Sequence, residues 1–343
     1  IKQLIKQAKL LASQYDVVVT NPPYMGGKGM NLQLKKYLSD YYPKGKGDLF
    51  AAFMIRARDF TAENGFSVAI NQHSWMFLSS FEELRKEFLS CTTIFSMLHL
   101  GARAFEEIGG EVVQSTSFVL RKMMISNYKG KYVRLVDYPS SQAKEDTFLS
   151  KKESETFVQT QKSFGDIPGT SIAYWIDSKM VELLKENKLS KYAEACTGMQ
   201  TGNNTKYIRN WHEVNIHHTN IFNQSGKWIK YNTGGENRKW YGGYDSVVNW
   251  ENDGIAIKQD KSAVVRNEKF YYKRGITWKR IGVSNLGLRF LPEGFIFDQS
   301  ADSVFPKSQA DYNFLLSFFN TKVAKKFLEF LSPTMNLTAG NIK

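Results

Sequence analysis

Apolar and polar positions along this chain fall into two textures, and the change comes after Tyr192. Before it, the pattern alternates between helical and strand periods. Residues 1–12 carry apolar side chains at 1, 4, 5, 8, 10, 11 and 12, a helical face with Lys2, Lys6 and Lys9 opposite. Residues 15–20 hold a run of valines that predicts a buried strand, because a β-branched side chain is stiff at χ1 and fits a pleated surface. A helix is predicted over 49–63 behind Asp48 at an N-cap position. Then come a strand over 66–71, a helix over 75–89, and strands over 94–100 and 112–120. Strands alternating with helices imply a mainly parallel sheet, and the last two strands, joined through Gly109-Gly110, read as a closing antiparallel hairpin.

Residues 137–163 turn polar, with Pro139-Ser140-Ser141 and Lys151-Lys152-Glu153, and a short helix is predicted over 179–187. Beyond Tyr192 the chain changes to short strands, glycine turns and many aromatics. The expected fold class is therefore α/β: a partial Rossmann-like sheet in residues 1–150, a link over 151–165, and a mixed, strand-rich domain over 166–343.

The first strand ends abruptly in Asn21-Pro22-Pro23-Tyr24. Two prolines remove two backbone donors and fix φ, so the ladder must stop there. The result is a rigid turn at the carboxyl end of a strand, where open α/β sheets bind ligands. It carries an amide side chain, unpaired carbonyls and a ring. Those groups suit work on the exocyclic amino group of a base, whose lone pair is delocalised into the ring. The Asn21 side-chain oxygen and the Pro22 carbonyl can each accept one of its N–H groups, which favours a pyramidal, nucleophilic nitrogen. Tyr24 offers a stacking face, since enzymes acting on a base take it out of the duplex. Met25-Gly26-Gly27-Lys28-Gly29 follows as a loop beside the site and lacks the Gly-Lys-Ser/Thr of a phosphate loop.

Charge narrows the class of partner. The 343 residues carry a net charge of +13, +5 before residue 151 and +8 from there on, which points to a polyanion. In the second half Arg and Lys interleave with Trp, Tyr and Asn, most densely at Arg238-Lys239-Trp240-Tyr241 and Tyr271-Tyr272-Lys273-Arg274, with Lys279 and Arg280 close behind. That mixture suits phosphate and base-edge contacts. The two cysteines, Cys91 and Cys196, support no disulfide framework and fit a reduced, cytoplasmic setting. No apolar run approaches a membrane span. Asp177 with Glu186 and Lys188 has a loose nuclease-like spacing, but no proline precedes the aspartate and the residues fall on an amphipathic helix. His212, His217 and His218 lack partners at metal-ligand spacing.

The strand followed by Asn21-Pro22-Pro23-Tyr24, together with the order of the clusters after Tyr192, resembles the adenine-N6 DNA methyltransferases. Within them the chain looks like the PglX-like enzymes of BREX phage defence and the Eco57I-type restriction-modification enzymes. The resemblance implies site-specific methylation of adenine N6, with S-adenosylmethionine as cofactor. It implies double-stranded DNA with a flipped adenine as partner, alongside other subunits of a defence system. It places Asn21 to Tyr24 at the catalytic site, Phe105 with Tyr24 against the flipped base, Asp48 and Phe50 near the methyl donor, and Lys28 and the basic clusters on DNA. Phe105 also reads as an ordinary core residue at a strand end. In the family the cofactor's glycine-rich turn lies upstream of the motif. Only 20 residues precede Asn21, too few for a βαβ unit, so the chain is expected to be part of a longer protein and inactive alone. Two other functions stay open: a DNA-recognition or assembly module with an idle motif, and methylation of RNA or of protein glutamine.

Overall fold

The computed structural model describes residues 1–343 except 106–112, 187, 222–225, 282–286, 332–336 and 343. Two compact units divide between Lys185 and Glu186.

The first unit is a six-stranded sheet: β1 Tyr15–Thr20, β2 Thr61–Gln72, β3 Thr93–Gly101, β4 Ser115–Arg121, β5 Lys129–Arg134 and β6 Thr156–Thr160. Their order in space is β1-β2-β4-β3-β5-β6. β1, β2, β3 and β5 run one way, whereas β4 and β6 run against them. The β3–β4 pair is antiparallel, as the sequence implies, but it does not close the sheet. β4 slots between β2 and β3, and β5 and β6 extend the far edge. The expected link over 151–165 is accordingly part of this unit, since β6 pairs along β5. The turn at Gly109-Gly110 lies outside the described residues.

Helix α1 (Lys2–Ala12) precedes β1, and α2 (Leu32–Tyr41) and α3 (Leu49–Phe60) lie between β1 and β2. Asp48 caps α3, which packs on β1 and β2 through Phe50, Ala51, Met54 and Ala57. Helix α4 (Glu82–Cys91) buries Leu84, Arg85 and Phe88. Arg85 is fully enclosed yet fully served: Nε and Nη2 donate to the Gly169 carbonyl, and Nη1 to Trp75 and Leu78. Asp177, the residue in the nuclease-like spacing, accepts from the Met180 amide at the start of the helix Ser178–Glu186, a capping role.

One expectation needs correction. β1 is not buried. Among the described residues it is an edge strand with β2 as its single neighbour, and Val17 and Val19 are 55% and 73% exposed. None of the residues of α1 is buried either. A valine run reports strand propensity well, but its cover depends on elements the local pattern does not specify.

The second unit holds two four-stranded sheets. β7 (Ala193–Cys196), β11 (Gly275–Trp278), β12 (Leu288–Leu291) and β14 (Ser303–Pro306) make one, in the order β12-β11-β14-β7. β8 (Ile208–Asn210), β9 (Trp228–Asn232), β10 (Ser246–Asn249) and β13 (Phe295–Phe297) make the other, in the order β13-β9-β10-β8. Helix Gln309–Phe319 packs on β11, β12 and β14. Of the described residues, no helix is long and apolar enough to cross a membrane.

Candidate active site

Since β1, β2 and β3 are parallel, their carboxyl ends share one edge of the sheet, and the Asn21–Tyr24 turn stands there. Thr20 pairs with Ala69, so continuing that register puts Asn21 level with Ile70 and Pro22 level with Asn71. Pro22 is buried, while Asn21 and Pro23 are exposed. Of the described residues, none donates to the Asn21 side chain or to the Pro22 carbonyl. Two acceptors on successive residues of a proline-locked turn are thus without a donor among the described residues.

Tyr24 is held at two points. Its hydroxyl donates to the Ile70 carbonyl at 3.4 Å, and its ring meets Phe50 edge-on at 6.3 Å. Burial pushes its phenol pKa up, and the Ser115 hydroxyl at the start of β4 pulls it part of the way back. A tyrosine held this way keeps its proton and offers a ring in a set place. Because the bond to Ile70 is long, Tyr24→Phe should be mild. Tyr24→Ala should cost about 1–3 kcal/mol of stacking on an unpaired base, read as weaker binding of a duplex carrying an abasic partner opposite the target. Equal affinity for both variants would take Tyr24 out of base contact.

Asp48 ties the next loop down. Its Oδ1 accepts from the Met25 amide at 2.9 Å and the Phe50 amide at 3.3 Å, and Leu49 N–H donates to the Met25 carbonyl. Burial raises the Asp48 pKa, opposed by the amides of Met25, Phe50 and Leu49. Oδ1 is therefore committed to structure, which leaves Oδ2 for any ligand. Phe50 is fully enclosed and packs against both Tyr24 and Phe81, so it presents no exposed face to a ligand. Phe53, one turn along α3, is 40% exposed and went unnoticed in the sequence, where it is one apolar residue among several. Lys28 is exposed on the loop. Phe105 is half-buried just past the carboxyl end of β3, at the same sheet edge as Asn21.

Sequence reasoning also missed a buried polar chain behind this edge. His73 follows β2, and its Nδ1 lies 2.8 Å from His99 Nε2 on β3. His99 Nδ1 lies 3.1 Å from the Tyr174 hydroxyl. In either direction of donation each ring carries one proton, and another would break a bond. Burial holds the His73 pKa down to about 4 and the His99 pKa well below its ordinary value. The unfolded chain therefore binds more protons between pH 6.5 and 4. The stability contributed, roughly 3 kcal/mol from His73, is complete above about pH 6.5 and is lost as pH falls towards 4. The imidazole resonances of both residues should stay silent from about pH 8 down to 5.5. A midpoint near 6.5 for either would mean that the pair is open to water.

In the second unit part of the basic-aromatic cluster assembles around β12. Arg274 lies over Tyr312 at 4.1 Å and Phe290 at 5.3 Å, and Tyr241 stacks on Phe290. Trp240 bridges to Arg289, and Arg238 is exposed and paired with Glu236 at 3.1 Å. Lys239 reaches the Asn320 carbonyl. Lys273 and Arg274 precede β11 whereas Lys279 and Arg280 follow it, at the two ends of that strand.

A mixed sheet with β4 inserted antiparallel, and an Asn-Pro-Pro-Tyr turn on its carboxyl edge, defines a methyltransferase-type α/β unit. Residues 2–105 match the family model of the Eco57I restriction-modification methylase. The adenine-specific methyltransferase PglX of Lacticaseibacillus casei (strain Zhang) is 42% identical over 100% of this chain and 30% of its own length. The adenine-specific methyltransferase BrxX of Escherichia coli O9:H4 (strain HS) is 40% identical over 99% of this chain and 28% of its own. Over its whole length the chain is similar to these adenine-specific methyltransferases, its residues 2–105 match the Eco57I-type family, and it spans less than a third of the length of these curated relatives. Among solved structures, the fold is shared with the Type IIL restriction-modification enzyme MmeI in complex with DNA. The TM-score is 0.59 at 11% identity, over 95% of this chain and 45% of that one. It is also shared with the Type ISP enzyme LlaBIII bound to DNA, at a TM-score of 0.54 and 12% identity, over 96% of this chain and 28% of that one.

Proposed function

We propose that this chain carries the base-handling and DNA-recognition part of a DNA adenine-N6 methyltransferase of a restriction-modification or phage-defence system. The observation that supports it most is the pair of unclaimed acceptors, Asn21 Oδ1 and the Pro22 carbonyl, beside a fixed Tyr24. An adenine amino group has two N–H bonds to give, and accepting both localises its lone pair for attack. Tyr24 and Phe105 hold the extruded ring, and Pro22 and Pro23 keep the acceptors from drifting. S-adenosylmethionine, when bound, supplies an electrophilic methyl carbon. Of the residues in this chain, exposed Phe53 and the free Oδ2 of Asp48 fit a wall of its pocket. DNA is favoured over RNA and protein glutamine because the relatives are named adenine-specific and the solved enzymes sharing the fold are bound to DNA. Basic side chains on the second unit supply the electrostatic part of binding.

The test is direct. The full-length protein is incubated with labelled S-adenosylmethionine and duplex DNA, and the DNA is digested to nucleosides. N6-methyladenine is the expected product. Label in RNA or in protein glutamine, with none in DNA, overturns the reading.

A further inference from the structure

Arg289 on β12 poses a problem that the proposed function does not use. Its side chain is fully enclosed, with 0% of its surface exposed. Nη2 donates to Asn232 Oδ1 and to the Thr233 carbonyl, both at 3.1 Å, and makes a long contact to the Gly234 carbonyl. Among the described residues, Nε and Nη1 are buried without a hydrogen-bond partner, and no carboxylate pairs with the guanidinium. Burial lowers the Arg289 pKa; the Tyr244 phenol opposes this in part, and the neighbouring cation Arg238 adds to it. The contrast with Arg85 is instructive. That arginine is equally buried, but every nitrogen donates to a carbonyl. A buried charge without a partner costs several kcal/mol, and buried polar groups are nearly always satisfied.

The surroundings show what would complete Arg289. The loop from Thr233 to Tyr244 wraps the guanidinium, and half-exposed Gly243 lies against its Nε edge with φ +80°. A Cβ there would stand 3.5 Å from Nε, so the absence of a side chain leaves only backbone on that side. Exposed Arg238 lies over the adjoining Gly242, its Nη1 3.3 Å from where a Cβ would be. Trp240, between them in sequence, is held at φ 72° and is 51% exposed. Strained backbone and an unpaired buried charge are both carried at a cost, and such costs gather where a ligand offsets them.

We propose that Arg289 and Arg238 form a phosphate site, Arg289 as the inner cation and Arg238 as the outer one, and that its ligand is a backbone phosphate diester of the bound DNA. Two neighbouring guanidinium groups, the outer one paired with exposed Glu236, match an oxyanion with several acceptor atoms. The Gly242-Gly243 backbone is the part that shifts to admit it. The assignment rests on the DNA reading above but adds a residue to it that is invisible from the surface.

Arg289→Met in the full-length protein tests this through two readouts. Removing an unpaired buried charge should leave the apo melting temperature unchanged or raise it by a few degrees. Duplex affinity should fall about tenfold, and the slope of log K against log salt should shrink by roughly one unit. A fall in melting temperature would assign Arg289 to strapping the Asn232–Gly234 strand end, and would overturn the proposal. So would wild-type affinity with an unchanged salt slope. Inorganic phosphate at matched ionic strength forms the second arm. If it raises the melting temperature of the wild type but not of the variant, while duplex affinity is the same for both, the site takes free phosphate and the diester assignment falls. Failure of the DNA reading looks different, because the wild type would then show no duplex affinity at all.

Discussion

Asn21→Ala in the full-length protein is expected to cut methyl transfer by on the order of a hundredfold or more, because one positioned acceptor is lost where charge develops on the amino group. The same change should leave duplex affinity within about twofold and the melting temperature unmoved. The structure sets both halves of that expectation. Asn21 is exposed, and no described residue donates to its side chain, so its removal orphans nothing. The prolines and Tyr24 hold the turn without it. Single-turnover methyl transfer separates the cases from weakened binding. Wild-type turnover in Asn21→Ala would end its proposed role, and a parallel loss of stability would recast it as structural.

Gly198→Ala is expected to have the largest effect on folding. A Cβ at this position would stand 2.1 Å from the Phe297 carbonyl oxygen and 2.6 Å from that of Asp298. These are backbone atoms of β13 and its exit, tied by the Met199 amide to the Phe297 carbonyl, so they cannot step aside like the end of a side chain. Overpacking of this kind costs about 3 kcal/mol or more. A unit of this size should lose roughly 6–12 °C of melting temperature. Calorimetry should show the transition of the second unit moving and that of the first staying. Unchanged melting would mean that β13 and the segment just after β7 are not packed this closely.

How far the sequence could be read depends on the kind of information each element carries. β1 was legible to the residue, since three valines closed by two prolines have a start and a stop in the local chemistry. The Asn21–Tyr24 turn was legible for the same reason. β5 and β6 were not. Lys129–Arg134 alternates lysine with apolar residues over one short stretch inside a polar region, and its burial comes from β3 and Phe164 rather than from its own pattern. The link assigned to 151–165 failed with them, because polarity was read as exposure. In the second unit the texture of short strands was clear, but strands of three to five residues do not specify partners, so the split into two sheets had to come from the structure. The site divides in the same way. Asn21, Tyr24 and Asp48 belong to a local motif. The His73–His99–Tyr174 chain joins residues far apart in sequence. Arg289 sits in Leu288-Arg289-Phe290-Leu291, where it looks like one more basic residue among aromatics.

The bare edge of β1 also governs how this protein behaves in a tube. Along Tyr15–Thr20 one side of the strand offers its N–H and C=O groups with no partner strand, Val17 and Val19 add apolar surface, and Asp16 is the single charge. Folded proteins blunt such edges with lysine, proline or a covering element, and here the prolines come only after the strand has ended. A six-residue stretch of high β propensity and low charge is a nucleus for cross-strand stacking. Residues 1–343 on their own are therefore expected to associate through this strand as concentration rises. Solubility will track whatever covers that strand, well before any loss of the fold itself.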